Sequence, residues 1–208
     1  MSSSLDKILA NPRVWRGRDQ AGCRAGLSSG YPELDRHLPG GGWPPDSLTE
    51  ILTAHYGIGE LRLLMPALAR LSNATPEQEE PGWVAWVAPP FQPYPPALRQ
   101  YGIDLSRMLI VRPGAASETL WSAEQALSSG TCAAVLLWPE TLDDQAGRRL
   151  QLAAEKGQSW AIAFRPLSVR HQPSAAALRL ELQATAQGTH VHILKSRGGR
   201  PTVVRTRL

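Results

Sequence analysis

Two glycines follow a candidate strand and precede an apolar segment, an arrangement that can bind phosphate. The strand is predicted at 48–52, and the loop TAHYGIG then carries Gly57 and Gly59. In a nucleotide-binding loop of this kind, backbone N–H groups at the start of a helix cradle the phosphates and a lysine neutralises them. Here Glu60 and Leu61 stand where the lysine and the magnesium-holding hydroxyl residue belong. A carboxylate at this position fills the anion site with its own charge and repels a nucleotide.

A second requirement of nucleotide hydrolysis, an aspartate at a strand end that holds the metal, is also missing. The run VLLW ends in Trp138, and the nearest carboxylate is Glu140. The sequence therefore predicts a protein without ATP hydrolysis and without a bound cofactor. A plainer local interpretation is that Gly57 and Gly59 form a tight turn and that Glu60 caps a helix.

Metal and nucleophile chemistry have little support in the sequence. His190 and His192 share one face of a predicted strand, but a metal ion would need a third ligand, and none is evident. Cys23 and Cys132 lie far apart without metal-ligand spacing and suit a reducing cytoplasm. The sequence predicts no metal site, and no Ser/His/Asp set stands out.

The chain has 208 residues, 42% of them hydrophobic, which indicates one globular domain with a short extension. No apolar run is long enough for a membrane span, and the start MSSSLDKILANP lacks the apolar core of a secretion signal. We therefore expect a cytoplasmic protein with a short N-terminal helix and basic connector at 1–25 and one domain at 26–208. Collagen-like, coiled-coil, membrane and disulfide-rich classes are excluded.

Short apolar runs alternate with helical segments, which is typical of parallel sheets with crossover helices. The predicted strands of this part are 48–52, 83–88, 108–111, 132–138 and 159–164. The predicted helices are 60–71, kinked at Pro66, then 96–101, a segment capped by Ser117, and 141–156. Three further strands are predicted at 178–183, 189–195 and 202–208, the last two as an antiparallel hairpin. The fold class is therefore α/β, with a mainly parallel sheet flanked by helices.

The C-terminal hairpin is basic, which suggests a contact with an acidic partner. The net charge is +4, and no acidic residue follows Glu181. The candidate contact residues are Lys195, Arg197, Arg200, Arg205 and Arg207. They could make weak, nonspecific contacts with single-stranded DNA or an acidic protein. The alternative is a charged sheet edge that discourages aggregation.

Two aromatic segments carry competing interpretations. Trp43 lies in the turn GGGWPP, where an exposed indole on a rigid loop would make a good interface residue. Equally, it could fold back over the sheet edge. The loop APPFQPYPP at 88–96 could bind through polyproline structure, but a connector of restricted entropy is favoured.

Three segments carry a resemblance to known proteins: LSSGYPELDRHLPGGGWP, GIGELRLL and KSRGGRP. With the order of the elements, they resemble a RecA-like core. More closely, the chain from Gly26 onward resembles the ImuA family, RecA-like proteins of bacterial translesion synthesis that are related to SulA cell-division inhibitors. The resemblance implies a non-catalytic adaptor of SOS mutagenesis whose partners are an ImuB-type inactive Y-family polymerase, RecA and an error-prone replicative-type polymerase. The SulA relationship implies the alternative of an inhibitor that binds FtsZ and blocks its polymerisation.

Overall fold

One mixed sheet of eight strands organises the part of the chain that the computed structural model describes, residues 25–73, 81–186 and 188–206. The strands are β1 (Leu48–Thr53), β2 (Trp83–Val87), β3 (Met108–Val111), β4 (Cys132–Leu137), β5 (Trp160–Pro166), β6 (Leu178–Thr185), β7 (Gly188–Ser196) and β8 (Thr202–Thr206). Their order across the sheet is β3-β2-β4-β5-β1-β6-β7-β8. The predicted α/β class is confirmed, and each predicted strand lies within two residues of the observed one.

The sheet has a parallel part and an antiparallel part. Across the sheet, the six strands β3-β2-β4-β5-β1-β6 are parallel to their neighbours. The last three strands, β6, β7 and β8, pair antiparallel. Every residue of β1 is buried, because helices or loops cover both faces at the sheet centre. Burial on both faces explains why the parallel strands could be predicted from continuous apolar runs in the sequence.

Five α-helices lie within the described residues: α1 (Pro32–Asp35), α2 (Met65–Ser72), α3 (Pro95–Gln100), α4 (Ala116–Ser128) and α5 (Asp144–Gly157). One sheet face packs against α1 and α2, and the other against α4 and α5. Asp143 caps α5, since its carboxylate accepts from the Ala146 N–H at 2.7 Å. No helix in the described ranges has the length and apolarity to cross a bilayer.

Two helix predictions need correction. The helix expected from residue 60 begins at Met65, because residues 60–64 form turns around the glycine loop. Pro66 therefore lies in the first helical turn, where its missing N–H costs nothing and the predicted kink does not arise. Helix α4 begins at Ala116 after Ala115, so Ser117 is not its cap.

Trp43 is a further correction, since it is 0% exposed and cannot act as an exposed interface residue. Its ring stacks on Trp160 with centroids 5.3 Å apart, and its backbone exchanges two hydrogen bonds with Leu27. A Cβ on Gly42 would lie 2.3 Å from the Leu27 carbonyl oxygen, so a side chain there would separate the two segments. The glycine run thus lets Trp43 fold back into the core, where it packs on the central strand β5 and not over the sheet edge that the alternative interpretation named.

A buried ion network joins three strands at the centre of the sheet. Glu50 of β1 is almost fully buried between Arg165 of β5 and Arg179 of β6. Its Oε1 lies 3.2 Å from an Arg165 terminal nitrogen, and its Oε2 lies 2.9 Å from Arg179 Nε. The Ser174 hydroxyl donates to Oε1 at 2.8 Å. Both Arg side chains also donate to backbone carbonyls, so the network holds β5, β6 and the loop between them against β1.

We predict that Glu50→Gln lowers the free energy of unfolding by about 3–5 kcal/mol, because it leaves two buried guanidinium groups without their counter-charge. Urea denaturation of the purified chain measures the loss. The control is Glu155→Gln, which removes a surface ion pair with Arg197 at 3.6 Å and should cost no more than about 1 kcal/mol. Equal effects of the two substitutions would contradict a structural role for the network.

Candidate partner-binding site

The glycine loop after β1 holds an anion, and that anion is the protein's own side chain. The Gly57 N–H donates to Glu60 Oε1 at 2.8 Å and to Oε2 at 3.0 Å. The Ile58 N–H donates to Oε2 at 2.9 Å. Backbone N–H groups arranged in this way form a concave anion site. The Glu60 carboxylate, 5% exposed, therefore occupies the place where the sequence predicted a phosphate would be repelled.

The Glu60 carboxylate also affects the neighbouring Tyr56. Burial raises the pKa of the Tyr56 hydroxyl, and the negative charge of Glu60 raises it further. Tyr56 thus remains a neutral phenol throughout the physiological range, and it is half-exposed beside the loop. Leu61, the second departure from a nucleotide-binding loop, packs against the core.

An aromatic stack lies where β4 ends, in place of a metal-holding carboxylate. Trp138 is buried, with its ring 4.6 Å from that of Phe164 and nearly parallel to it. Trp86 of β2 packs on Trp138 in a tilted arrangement, with ring centroids 5.5 Å apart. Glu140 is exposed. The strand ends thus contain packed indole rings where a nucleotide-hydrolysing protein would place a carboxylate.

Between the glycine loop and the proline-rich segment lies an open cleft of about 330 Å³. Its floor contains Trp86 and Trp138, and one wall contains Tyr56, Gly57 and Glu60. The other wall is formed by residues 89–94 and helix α3. Phe91 and Tyr94 are 70% and 69% exposed, and together with the apolar lining of the cleft they form a contiguous apolar surface, which is the kind of patch that marks an interaction site. The cleft therefore has the composition of a protein-binding groove.

Sequence reasoning missed this cleft. It favoured a plain connector for residues 88–96, and the segment does connect β2 to α3. It also forms a wall of aromatic rings held on a stiff, proline-rich backbone. The available signal was the alternation of Phe91 and Tyr94 with prolines, which a buried or purely structural loop does not require.

Charges at the cleft are positive on its outer side. Arg62 is exposed on the wall beside the glycine loop. Arg112 does not line the cleft, but its guanidinium contacts the side-chain oxygen of Gln92, a cleft residue. Because the Glu60 carboxylate is already bound by two N–H groups, the charge that an approaching partner meets in the cleft is mainly that of Arg62.

The basic hairpin residues are divided by the structure. Lys195 Nζ donates to the Ser174 carbonyl at 2.7 Å, and Arg197 pairs with Glu155 of α5. Arg200 is exposed in the β7–β8 turn, and Arg205 is exposed on β8 opposite His190. Arg207 lies outside the described residues. Two of the five candidates are thus engaged within the domain, and Arg200 and Arg205 remain as outward-facing charges.

Among the residues that the structure describes, no group of three or more His, Cys, Asp or Glu side chains could hold a metal ion. The His190 and His192 rings lie 6.4 Å apart. Burial raises the pKa of the Cys132 thiol, which disfavours the reactive thiolate.

Comparison with known proteins connects this site to two groups of proteins. The family model for cell division inhibitor SulA matches residues 49–161, a segment that includes the glycine loop and the cleft. Protein ImuA of Caulobacter vibrioides is 36% identical over 140 residues, which are 66% of this chain and 56% of that protein. Cell division inhibitor SulA of Photorhabdus laumondii is 31% identical over 121 residues, 58% of this chain and 65% of that protein.

Among solved structures, the crystal structure of SulA from Pseudomonas aeruginosa matches with 28% identity and a TM-score of 0.46. The match covers 57% of this chain and 97% of that one. The chain spans less than two thirds of the length of the curated relatives above. Because the family model covers more than half of the chain, the chain belongs to the SulA family, and the resemblance to ImuA and SulA proteins found in its sequence is confirmed.

Proposed function

We propose that this protein is a non-catalytic accessory protein of SOS-induced translesion DNA synthesis. It would act through contacts with an ImuB-type inactive polymerase and RecA, alongside an error-prone replicative-type polymerase. The observation that carries the proposal is the Glu60 carboxylate bound by the Gly57 and Ile58 N–H groups. A fold whose phosphate cradle is filled by its own side chain is suited to binding proteins rather than nucleotides.

The relatives support the biological setting. The resemblance to protein ImuA and the resemblance to cell division inhibitor SulA both imply a role in the response to DNA damage, which is the part of the proposal that the two relationships share. The ImuA match is longer and has higher identity than the SulA match, which favours the mutagenesis role.

The cleft supports a mode of action. Its exposed Phe91 and Tyr94 rings provide the rigid aromatic contacts that commonly dominate the energetics of protein interfaces. Arg200 and Arg205 could add weak electrostatic contacts with DNA. Two isolated charges without stacking aromatic residues are too few for tight binding of a single strand.

We predict that the wild-type chain neither binds nor hydrolyses ATP, as measured by titration calorimetry and phosphate release. Glu60→Ala should destabilise the fold by about 1–3 kcal/mol, because it removes the charged acceptor of the hydrogen bonds from the Gly57 and Ile58 N–H groups. The variant should still lack hydrolysis, since neither the lysine nor the metal-holding carboxylate is present. ATP turnover by the wild type that Gly59→Ala abolishes would overturn the proposal.

We predict that the double substitution Phe91→Ala and Tyr94→Ala weakens binding of an ImuB-type partner from the same organism by at least about tenfold. Damage-induced mutation frequency in cells should fall with it, while thermal stability is unchanged because both rings are exposed. Leu152→Ala is the matched control, since Leu152 is 63% exposed on α5, away from the cleft. Unchanged partner binding by the double variant would exclude the cleft as the contact.

The alternative function is inhibition of cell division by binding FtsZ, and the SulA family match is the observation that favours it. Light scattering by purified FtsZ with GTP distinguishes the two functions. Loss of FtsZ polymers at a stoichiometric amount of this protein would support the inhibitor. Unchanged assembly, together with recovery of an ImuB-type partner, would support the mutagenesis role.

A further inference from the structure

Strand β3 is the terminal strand of the sheet, and its outer edge is apolar. It pairs with β2 on one side only. Leu109 and Ile110, at its centre, are 42% and 41% exposed. Adjacent strand residues point to opposite faces of a sheet, so exposed aliphatic surface borders the free edge both above and below.

The backbone at this edge is available for pairing. The Val111 carbonyl accepts from the Ala88 N–H at 2.9 Å, which places the Val111 polar groups on the β2 side. Because alternate residues direct their N–H and C=O groups to opposite edges of a strand, those of Ile110 face outward. No hydrogen bond across this edge is found among the described residues. An unpaired edge of this kind is a template for another extended chain.

The opposite edge of the sheet shows what a protected edge looks like in the same molecule. β8 follows Pro201 and carries the charged Arg205. Helix α1 packs against it, and the Thr206 hydroxyl donates to Glu33 Oε1 at 2.8 Å. Proline, charge and a covering helix are the usual devices that block edge pairing. The four residues of β3, Met-Leu-Ile-Val, carry no charge or proline.

A charged residue lies at each end of β3, and these charges indicate which kind of segment could pair with the strand. Arg107 immediately precedes the strand, with its guanidinium 5.6 Å from the Trp83 ring, and Arg112 immediately follows it. The Asp104 carboxylate, an acid near Arg107, is already bound by the Ser106 N–H and hydroxyl. Antiparallel pairing of β3 with a second copy through the outward groups of Ile110 would set Arg112 of each chain opposite Met108 of the other, one residue from the Arg107 of that chain. This like-charge arrangement disfavours self-association.

We propose that the free edge of β3 binds an extended segment of a protein partner by strand addition. The segment has about four consecutive apolar residues with acidic residues on both sides. Its main chain pairs with the outward N–H and C=O of Ile110, its apolar side chains lie beside Leu109 and Ile110, and its carboxylates meet Arg107 and Arg112. This inference rests on the proposed function in that it supplies a second contact, separate from the cleft, for a protein partner.

The test uses NMR spectra of the isotope-labelled full chain with two synthetic peptides. One has four valine and isoleucine residues between pairs of aspartates, and the other has lysines in place of the aspartates. The acidic peptide should shift the Ile110 and Arg112 amides and bind at least about tenfold tighter at low salt. The difference should shrink in about 0.5 M salt, where the Debye length is a few ångströms.

Three variants make the test specific. Ile110→Pro removes the outward N–H and should abolish the shifts, since proline is tolerated at an edge strand. Arg112→Glu leaves one cation, Arg107, beside one new carboxylate, so it should remove most of the preference for the acidic peptide, and it remains informative if the proline variant does not fold. Arg205→Glu, the matched substitution on β8, should leave the preference unchanged.

The possible outcomes are distinct. Shifts confined to the cleft or β8, no shifts in the millimolar range, or equal binding of the two peptides would overturn the proposal. A wild-type dimer that Ile110→Pro dissociates would also overturn it, because the occupant would then be a second copy. The peptide readout needs no identified partner, so a failure of the translesion function would leave it standing, and its own failure would leave the cleft untouched.

Discussion

The buried pairing of Glu50 with two arginines is the interaction on which the arrangement of the sheet depends most. Glu50 lies on the central strand β1, and its partners lie on the strands at either side. A lone carboxylate in this position would be prohibitively costly to desolvate, and so would either guanidinium. The Glu50 carboxylate and the two guanidinium groups are therefore stable in the interior only when all three are present. Their mutual requirement ties the parallel part of the sheet to the antiparallel extension.

In the glycine loop too, a buried charge is stabilised by the groups that surround it. Glu60 is buried because two backbone N–H groups bind its carboxylate, and those N–H groups are satisfied because Glu60 is present. A nucleotide would have to displace a covalently attached anion and would find no lysine in its place. This reciprocal arrangement of the Glu60 carboxylate and the loop N–H groups underlies the proposal of a protein-binding role.

The carboxyl ends of the parallel strands nevertheless remain the place where the surface is most distinctive. Aromatic residues at the ends of β2 and β4 replace polar chemistry with apolar surface, and the proline-rich loop adds two exposed rings. In open α/β sheets this edge commonly binds ligands, because loops converge there. Here the converging loops form an apolar cleft. The edge strand β3 lies next to β2, the strand whose Trp86 contributes to the cleft floor.

Much of this structure was determined by the sequence alone. Continuous apolar runs located the buried strands because both of their faces are covered, and Glu60 after Gly57 and Gly59 predicted the self-filled loop because charge and spacing are local properties. The tertiary structure decided the burial of Trp43, which depends on the close approach of Gly42 to the distant Leu27 backbone. It also decided the Glu50 network, in which Glu50 is more than a hundred residues from both arginines, and the cleft, whose walls come from separate loops. Local patterns of apolar and charged residues predict which residues are buried. Contacts between residues that are distant in the sequence are determined only when the chain folds.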